Sequence, residues 1–100
     1  MTEFITGKSL VSVVLCTYNG EKYIAQQLDT ILQQSYTNLE IIIVDDASTD
    51  NTKSILELYK SKDGRIKLFF NEINLGYNKN FEKAIGLATA EYIAISDQDD

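Results

Sequence analysis

The most constraining feature of this sequence is an alternation of short apolar runs with amphipathic helical patterns. Runs rich in β-branched and aromatic residues predict four strands, at Leu10–Cys16, Glu40–Val44, Ile66–Phe70 and Tyr92–Ser96. Apolar residues at helical spacing predict three helices between them, over Glu21–Gln34, Thr52–Lys62 and Asn78–Ala88. The order β-α-β-α-β-α-β predicts an α/β fold, with an open, mainly parallel, Rossmann-like sheet and helices on both faces.

Short polar residues at the start of two predicted helices are candidate N-caps. Ser48 and Asp50 precede the second helix, and Asn78 begins the third. Their side-chain oxygens can accept hydrogen bonds from the unpaired N–H groups of a first helical turn. A structural role is therefore available to each of them.

Length, charge and cysteine content restrict the class of protein. A chain of 100 residues forms one domain at most and is small for an enzyme with two substrates, which predicts a fragment. The 15 acidic residues outnumber the 9 basic ones, and no Lys/Arg cluster could follow a phosphate backbone, so we expect no nucleic-acid partner. The single cysteine, Cys16, lies in an apolar run, which predicts a small buried side chain and a reducing cytoplasm.

Membrane segments are not expected in this sequence. No apolar stretch approaches the roughly 20 residues that span a bilayer. The first ten residues lack the basic start and long apolar middle of a signal peptide.

Acidic residues follow two of the predicted strands. Asp45 and Asp46 come after the second strand, and Asp97, Asp99 and Asp100 come after the fourth. The carboxyl ends of parallel strands lie along one edge of a sheet, and ligands bind beyond that edge where the strand order reverses. Carboxylates this close repel one another unless water, a basic partner or a metal cation offsets their charge.

A nucleotide with a divalent cation would suit such an edge. Asp45 or Asp46 could accept a hydrogen bond from a ring N–H, which uracil and thymine carry at N3 and cytosine lacks. Asp97 and Asp99 are spaced i, i+2, which puts both on one side of an extended segment, where their oxygens could bind Mg²⁺ or Mn²⁺. The cation would bridge these carboxylates to a diphosphate.

Three segments resemble the nucleotide-binding half of a family 2 glycosyltransferase with the GT-A fold. They are VSVVLCTYNGEKYIAQQLDTILQQSY, EIIIVDDASTDNT and NLGYNKNFEKAIGLATAEYIAISDQDD, and they cover most of the chain after Leu10. The resemblance implies a nucleotide-sugar donor of the UDP or dTDP type, Mn²⁺ or Mg²⁺, and inverting transfer of a sugar to an acceptor hydroxyl. It also implies a role in bacterial glycan or polysaccharide synthesis.

The resemblance implies roles for residues after the first two strands. Cys16, Thr17 and Tyr18 would line the nucleoside pocket, with Tyr18 packing on the base or ribose. Asp46, with Asp45 beside it, would contact the base.

The resemblance also implies roles for two later segments. Residues 97–100 match the family's Asp-x-Asp region, in which Asp97 and Asp99 would bind the nucleotide. Asp99 and Asp100 would hold the metal. Lys79 lies beside the family's Asn-x-Gly segment and would be a basic contact to the diphosphate.

The resemblance divides the chain into an extension, residues 1–9, and a donor-binding part, residues 10–100, truncated after the Asp-x-Asp motif. The acceptor site and the general base would lie beyond this sequence, so no catalytic residue is named. The acceptor would be a glycan or a lipid-linked glycan. We expect the full protein to act in the cytoplasm, in some settings at the inner face of the membrane. The truncated sheet could also self-associate.

Two other functional classes of α/β protein fit this sequence less well. A phosphorylation-receiver module would carry paired acids after its first strand, where this chain has Cys16 and Thr17. A dinucleotide-dependent oxidoreductase would carry Gly-x-Gly-x-x-Gly there, and the segment CTYNGEKY has a single glycine. An acidic α/β binding domain without chemistry stays open as the alternative.

Overall fold

The computed structural model describes residues 9–96, in which four strands alternate with three helices. The elements are β1 (Val11–Thr17), α1 (Ile24–Leu32), β2 (Leu39–Asp45), α2 (Thr52–Lys62), β3 (Ile66–Phe70), α3 (Tyr77–Leu87) and β4 (Tyr92–Ser96). Every predicted element is present, and α2, β3 and β4 have the predicted bounds. The bounds of β1, β2 and α3 differ from prediction by one residue at each end.

Helix α1 is shorter than predicted at both ends. The N–H groups of Tyr23 and Ile24 both donate to the carbonyl of Gly20, each at 2.9 Å, and form a turn before the helix. The N–H of Glu21 donates instead to Asp50 Oδ2, at 3.2 Å, in the loop after β2. The turn thus precedes α1, and Glu21 within it is joined to the loop after β2, a contact that periodicity does not encode.

The strands form one sheet in the order β3-β2-β1-β4, and every pair in it is parallel. β1 pairs with β2 along its whole length, from Val11 opposite Leu39 to Thr17 opposite Asp45. The chain moves outward from β1 to β3 and then returns to the other side of β1 as β4. The predicted α/β fold class is confirmed, and the strand order reverses between β1 and β4.

Helices cover both faces of the two central strands. One face packs against α1 and α2, through Val11, Val13, Leu15, Ile41 and Ile43 of the strands and Ile24, Leu28, Ile31 and Leu56 of the helices. On the other face, Val14, Ile42 and Val44 pack with Ala84 of α3. Burial on both faces explains why β1 and β2 are apolar at nearly every position.

The edge strand β4 is less covered than its neighbours. Ile93 and Ile95 are 42% and 55% exposed, and they pair with Ser12 and Val14 of β1. Paired residues share one side of a sheet, so both isoleucines face the side that carries α3. Because α3 packs on β1 and β2, a groove stays open beside it, above β4.

The structure tests the prediction about membrane segments only within residues 9–96, and it does not test the predicted domain boundary. Residues 1–8 and 97–100 lie outside the described residues, so the boundary between an extension and a domain stays a prediction. Within residues 9–96, the longest helices have 11 residues, and none has the length and apolar character needed to cross a bilayer.

A buried carboxylate joins the amino-terminal ends of the strands. Glu40 of β2 is only 4% exposed and accepts hydrogen bonds from Ser12 Oγ, from Lys67 Nζ and from the N–H and hydroxyl of Thr89. Ser12 Oγ in turn accepts from the N–H of Ala90, at 3.1 Å. Burial raises the pKa of Glu40, but these hydrogen bonds outweigh it and bring the pKa from 4.5 to about 2. The carboxylate thus ties β1, β3 and the start of β4 to β2.

This network predicts an acid-sensitive contribution to stability. Because the folded-state pKa of Glu40 is lowered, its stabilisation is complete above pH 4.5 and is lost as the pH falls towards 2. We expect Glu40→Gln to cost about 2–3 kcal/mol at pH 7, because a donor replaces an acceptor. We also expect the variant to lose less stability than the parent between pH 4.5 and 2.

Urea unfolding at several pH values measures both effects, and Glu57→Gln, at an exposed position of α2, is the control. Parallel pH profiles for the parent and Glu40→Gln would contradict the prediction.

Candidate functional site

The carboxyl ends of β1, β2 and β4 meet the start of α3 at a pocket of about 320 Å³. This volume falls within the range of about 300–1,000 Å³ typical of small-molecule sites. The lining residues are Val14, Cys16, Thr17, Tyr18, Asp46, Asn74, Gly76, Tyr77, Asn80, Phe81, Ile95 and Ser96. The pocket lies beside the reversal of strand order, where the topology favours a ligand.

Aromatic rings form part of the pocket wall. Tyr18, in the loop after β1, is 48% exposed, and Tyr77, at the start of α3, is 61% exposed. The Tyr77 ring stacks on Phe81, with centroids 5.9 Å apart and planes 13° from parallel. Exposed aromatic faces at a pocket offer stacking surfaces to a planar ring.

Asp46 supplies the carboxylate of the pocket, and its side chain is almost fully buried. Its Oδ1 accepts hydrogen bonds from Asn71 Nδ2 at 2.9 Å and from the N–H of Leu75 at 2.7 Å. Its Oδ2 accepts from the N–H of Gly76, at 2.9 Å. Asn74 Nδ2 donates to the Asp46 carbonyl, at 3.1 Å. Asp46 therefore holds the segment before α3 against the end of β2.

Asp45 has a different environment from its neighbour. Its side chain is fully buried and does not line the pocket. Thr17 Oγ1 and Ser48 Oγ donate to its Oδ1, at 2.7 and 2.6 Å, and the N–H of Ser48 donates to its Oδ2, at 2.9 Å. This geometry does not support the expected contact of Asp45 with a base. The carboxylate instead ties the end of β1 to the loop after β2.

The two adjacent carboxylates lie on opposite sides of the sheet. Side chains alternate along a strand, so Asp45 shares the side of Ile43, which faces α1 and α2. Asp46 continues the side of Val44, which faces α3. The N–H of Asp46 still donates to the carbonyl of Thr17, so the ladder extends this far. Separation and hydrogen bonding together offset the repulsion between the two charges.

Hydrogen bonds join the loop after β1 to the loop after β2. The N–H of Asn19 donates to Ser48 Oγ at 2.9 Å, and Asn19 Oδ1 accepts from the N–H of Thr49 at 2.8 Å. The N–H of Gly20 donates to Thr52 Oγ1, at 2.8 Å. These contacts fix the loop that carries Tyr18 in the pocket wall.

The N-cap predictions are only partly correct. The N-cap position of α2 is Asn51, whose side chain makes no capping bond, while Asp50 Oδ1 accepts from the N–H of Thr52 at 2.9 Å. Burial raises the pKa of Asp50, but its hydrogen bonds from Thr52 outweigh this effect and lower it. Ser48 is not a cap, because it binds Asp45. Asn78 is not a cap either, because α3 has Gly76 at its N-cap.

Two residues of these loops have left-handed backbone conformations. Asn19 has φ 48° and Ala47 has φ 61°. Asparagine tolerates this region, whereas the Cβ of alanine is strained in it. The loop after β2 therefore stores strain at Ala47, next to both aspartates.

The structure gathers four of the predicted site residues at the pocket: Cys16, Thr17, Tyr18 and Asp46. Cys16 is half-buried there, so the expectation of a fully buried side chain is wrong. Lys79 is exposed on α3 and does not line the pocket. Asp97, Gln98, Asp99 and Asp100 lie outside the described residues, although Ser96, which precedes them, lines the pocket. Within residues 9–96, no group of three His, Cys, Asp or Glu side chains could hold a metal.

Several polar residues of the site were not predicted from the sequence. Asn74 and Asn80 line the pocket, and Asn71 binds the Asp46 carboxylate. Asn80 is 1% exposed although it lies in a helix. Asn80 lies four residues before Ala84, on the predicted apolar stripe of α3. An asparagine on such a stripe is a signal that could have identified it, because a buried amide requires hydrogen-bond partners.

Comparison with known proteins gives a family for the sequence. The model of the family described as Glycosyl transferase family 2 matches residues 12–100. A Haemophilus influenzae protein named "Uncharacterized glycosyltransferase" is 44% identical over 91 residues, which are 91% of this chain and 28% of that protein. The Escherichia coli protein "UDP-Glc:alpha-D-GlcNAc-diphosphoundecaprenol beta-1,3-glucosyltransferase WfgD" is 36% identical over 91 residues, which are 91% of this chain and 35% of that protein.

A solved structure agrees with the fold. The mannosyltransferase PcManGT from Pyrobaculum calidifontis, in complex with GDP-Man and Mn²⁺, superposes with a TM-score of 0.82 at 32% identity. The match covers 89% of this chain and 27% of that one. The chain thus spans about a third or less of the length of these relatives.

The strained loop residue generates a prediction. We expect Ala47→Gly to stabilise the chain by about 0.5–1 kcal/mol, because loss of the Cβ relieves the left-handed strain by more than it raises unfolded-state entropy. Ala25→Gly, within α1, is the matched control and should destabilise by about 0.5–1 kcal/mol. Urea midpoints measure both. Destabilisation by both variants would show that Ala47 is not strained.

Proposed function

Because the chain belongs to glycosyl transferase family 2, we propose that it is the donor-binding part of a metal-dependent glycosyltransferase with a GT-A fold. The proposed reaction transfers a sugar from a UDP- or dTDP-sugar to an acceptor hydroxyl, with inversion at the anomeric carbon. The observation that carries the proposal is the pocket itself, in which an oriented carboxylate, Asp46, lies beside exposed aromatic rings at the strand-order reversal.

The Asp46 carboxylate has the geometry of a base reader. A carboxylate has about four acceptor positions. The described residues donate two hydrogen bonds to Oδ1 and one to Oδ2, which leaves one position on Oδ2. The ring N3–H of uracil or thymine would take it, while the base or ribose packs on Tyr18. Cys16 and Thr17 would form the adjoining wall, and Asp45 would hold the loop rather than contact the nucleotide.

The diphosphate would be bound through a divalent cation. Asp99 and Asp100 are the proposed ligands, because carboxylates suit Mn²⁺ or Mg²⁺, and Asp97 and Asp99 are the proposed nucleotide contacts. Two observations support this assignment: the segment begins directly after Ser96 of the pocket, and PcManGT was solved with GDP-Man and Mn²⁺. When bound, the cation would stabilise the negative charge of the departing diphosphate. Lys79 does not line the pocket, so a contact from Lys79 to the diphosphate would lie outside it.

The residues of this chain would bind and orient the donor. Attack by an acceptor oxygen on the anomeric carbon also needs a general base to remove the hydroxyl proton. We assign that base, and the acceptor site, to sequence outside these 100 residues. The name of WfgD includes a UDP-sugar donor and a lipid-linked acceptor, which supports a role in glycan synthesis. The cytoplasmic location expected from the sequence stays a proposal.

A thermal-shift experiment tests donor binding. We expect UDP or dTDP together with Mn²⁺ to raise the melting temperature of this chain, because a ligand that binds only the folded state stabilises it. Either component alone should raise it much less, since the metal bridges protein and diphosphate. No shift at millimolar nucleotide and metal, in a chain shown to be folded, would favour an acidic binding domain without chemistry.

Substitution of the proposed metal ligands tests the cation site. We expect Asp99→Asn and Asp100→Asn to weaken UDP binding in the presence of Mn²⁺ by more than about tenfold, because each removes a charged ligand. Without Mn²⁺, the affinity of Asp100→Asn for UDP should differ from that of the parent much less than with Mn²⁺, because Asp100 is proposed to act through the metal alone. Glu72→Gln, at an exposed position after β3 on the same edge, is the charge-matched control. Unchanged affinity in both aspartate variants, measured by calorimetry, would refute the metal assignment.

A further inference from the structure

We propose that Asn71, held by Asn80 and Lys83, orients the Asp46 carboxylate and so sets the preference of the pocket for bases with a ring N–H. This inference rests on the proposed donor-binding function and extends it to positioning residues outside the direct contacts. The three residues belong to the end of β3 and to α3.

A continuous chain of hydrogen bonds links the three residues to Asp46. Asn71 Nδ2 donates to Asp46 Oδ1 at 2.9 Å and to Asn80 Oδ1 at 2.7 Å. Asn80 Nδ2 donates to the carbonyl of Val44, at 3.1 Å. Lys83 Nζ donates to Asn71 Oδ1, at 2.6 Å. The amide of Asn71 thus uses both of its N–H groups and its oxygen.

The groups at the ends of this series of hydrogen bonds can each only donate or only accept, and this fixes the direction of every bond in the series. The Val44 carbonyl only accepts, so Asn80 turns its NH₂ to Val44 and its oxygen to Asn71. The Asp46 carboxylate only accepts and Lys83 only donates, so Asn71 has one orientation that satisfies all its neighbours. A carboxylate at position 71 would set oxygen against oxygen at both Asp46 and Asn80.

Burial makes this arrangement specific. Asp46, Asn71 and Asn80 are 3%, 5% and 1% exposed, so water cannot readily replace a lost partner. Asn71 and the N–H of Leu75 fill both acceptor positions of Oδ1. Oδ2 is therefore the oxygen with a position left for a ligand, and Asn71 holds the carboxylate in this orientation together with the N–H groups of Leu75 and Gly76.

The orientation has a chemical consequence for base selection. A fixed, acceptor-only oxygen binds uracil through its N3–H, while the N3 lone pair of cytosine would face it and be repelled. A carboxylate held less firmly would form a weaker hydrogen bond with the uracil N3–H, which reduces the preference for uracil, while the rest of the pocket still bound the ribose and diphosphate. The affinity ratio of UDP to CDP therefore reports on the orientation of Asp46, whereas a general loss of structure would weaken both nucleotides alike.

The experiment measures UDP and CDP affinity of this whole chain by calorimetry in Mn²⁺, with melting temperatures taken without ligand. We expect the parent to prefer UDP, and Asn71→Asp to lower the UDP/CDP ratio about tenfold, since an oriented hydrogen bond to a charged group is lost. Lys83→Met, at the exposed end of the chain of hydrogen bonds, should lower it about threefold without unfolding the protein.

Matched controls are available on the same fold. Asn78→Asp makes the same chemical change in the exposed first turn of α3, and Lys60→Met removes an exposed lysine from α2. Both should keep the parental ratio.

The outcomes separate this inference from the proposed function. A parent that binds UDP and CDP equally, or variants at Asn71 and Lys83 that keep the parental ratio, would overturn the inference and leave donor binding intact. If Asn71→Asp does not fold, the Lys83→Met ratio decides. A folded parent that binds neither nucleotide would overturn both proposals.

Discussion

The hydrogen bonds accepted by two consecutive aspartates at the end of β2 hold the pocket together. Asp45 binds the end of β1 and its own loop through Thr17 and Ser48. Asp46 binds the segment before α3, through Leu75 and Gly76. Asp45 and Asp46 therefore position three segments that are far apart in sequence: the end of β1, the loop after β2 and the segment before α3. The relative positions of the aromatic rings and the polar groups in the pocket depend on these hydrogen bonds to the two aspartates.

A buried carboxylate lies at each end of β2, Glu40 near its start and Asp45 at its end, and the apolar residues lie between them. Glu40 gathers β1, β3 and the approach to β4 at one end, and the aspartates gather the loops at the other. The middle of the strand, from Ile41 to Val44, is fully buried. Hydrophobic burial thus supplies the stability of the sheet, while the charged ends fix the geometry of the segments that leave it.

Periodicity was sufficient to predict the elements, and the position of Asp46 after β2 was sufficient to predict a carboxylate at the pocket. The aspartates after β4 lie outside the described residues, so their part of the acidic edge stays a prediction. Periodicity did not predict that Asp45 and Asp46 differ in role, because that depends on which loops reach each face. Asn80 was missed because a single asparagine in an amphipathic helix resembles an ordinary surface residue unless its burial is known. Lys79 was named from sequence similarity and Lys83 was not considered, yet the side chain of Lys83 donates to Asn71, which binds Asp46. The start of α1 was not predicted, because periodicity alone does not distinguish the turn at Gly20 from the first turn of the helix.

The division of the two aspartates between opposite faces has a consequence for the length of β2. Side-chain direction in a strand depends on whether a position is odd or even, so an insertion or deletion of one residue inside β2 would exchange the faces of Asp45 and Asp46 relative to its apolar residues. The hydrogen-bond donors that now bind each carboxylate would then lie on the opposite face of the sheet from it. The number of residues between Glu40 and the aspartates therefore matters to the pocket as much as the identity of the two carboxylates does.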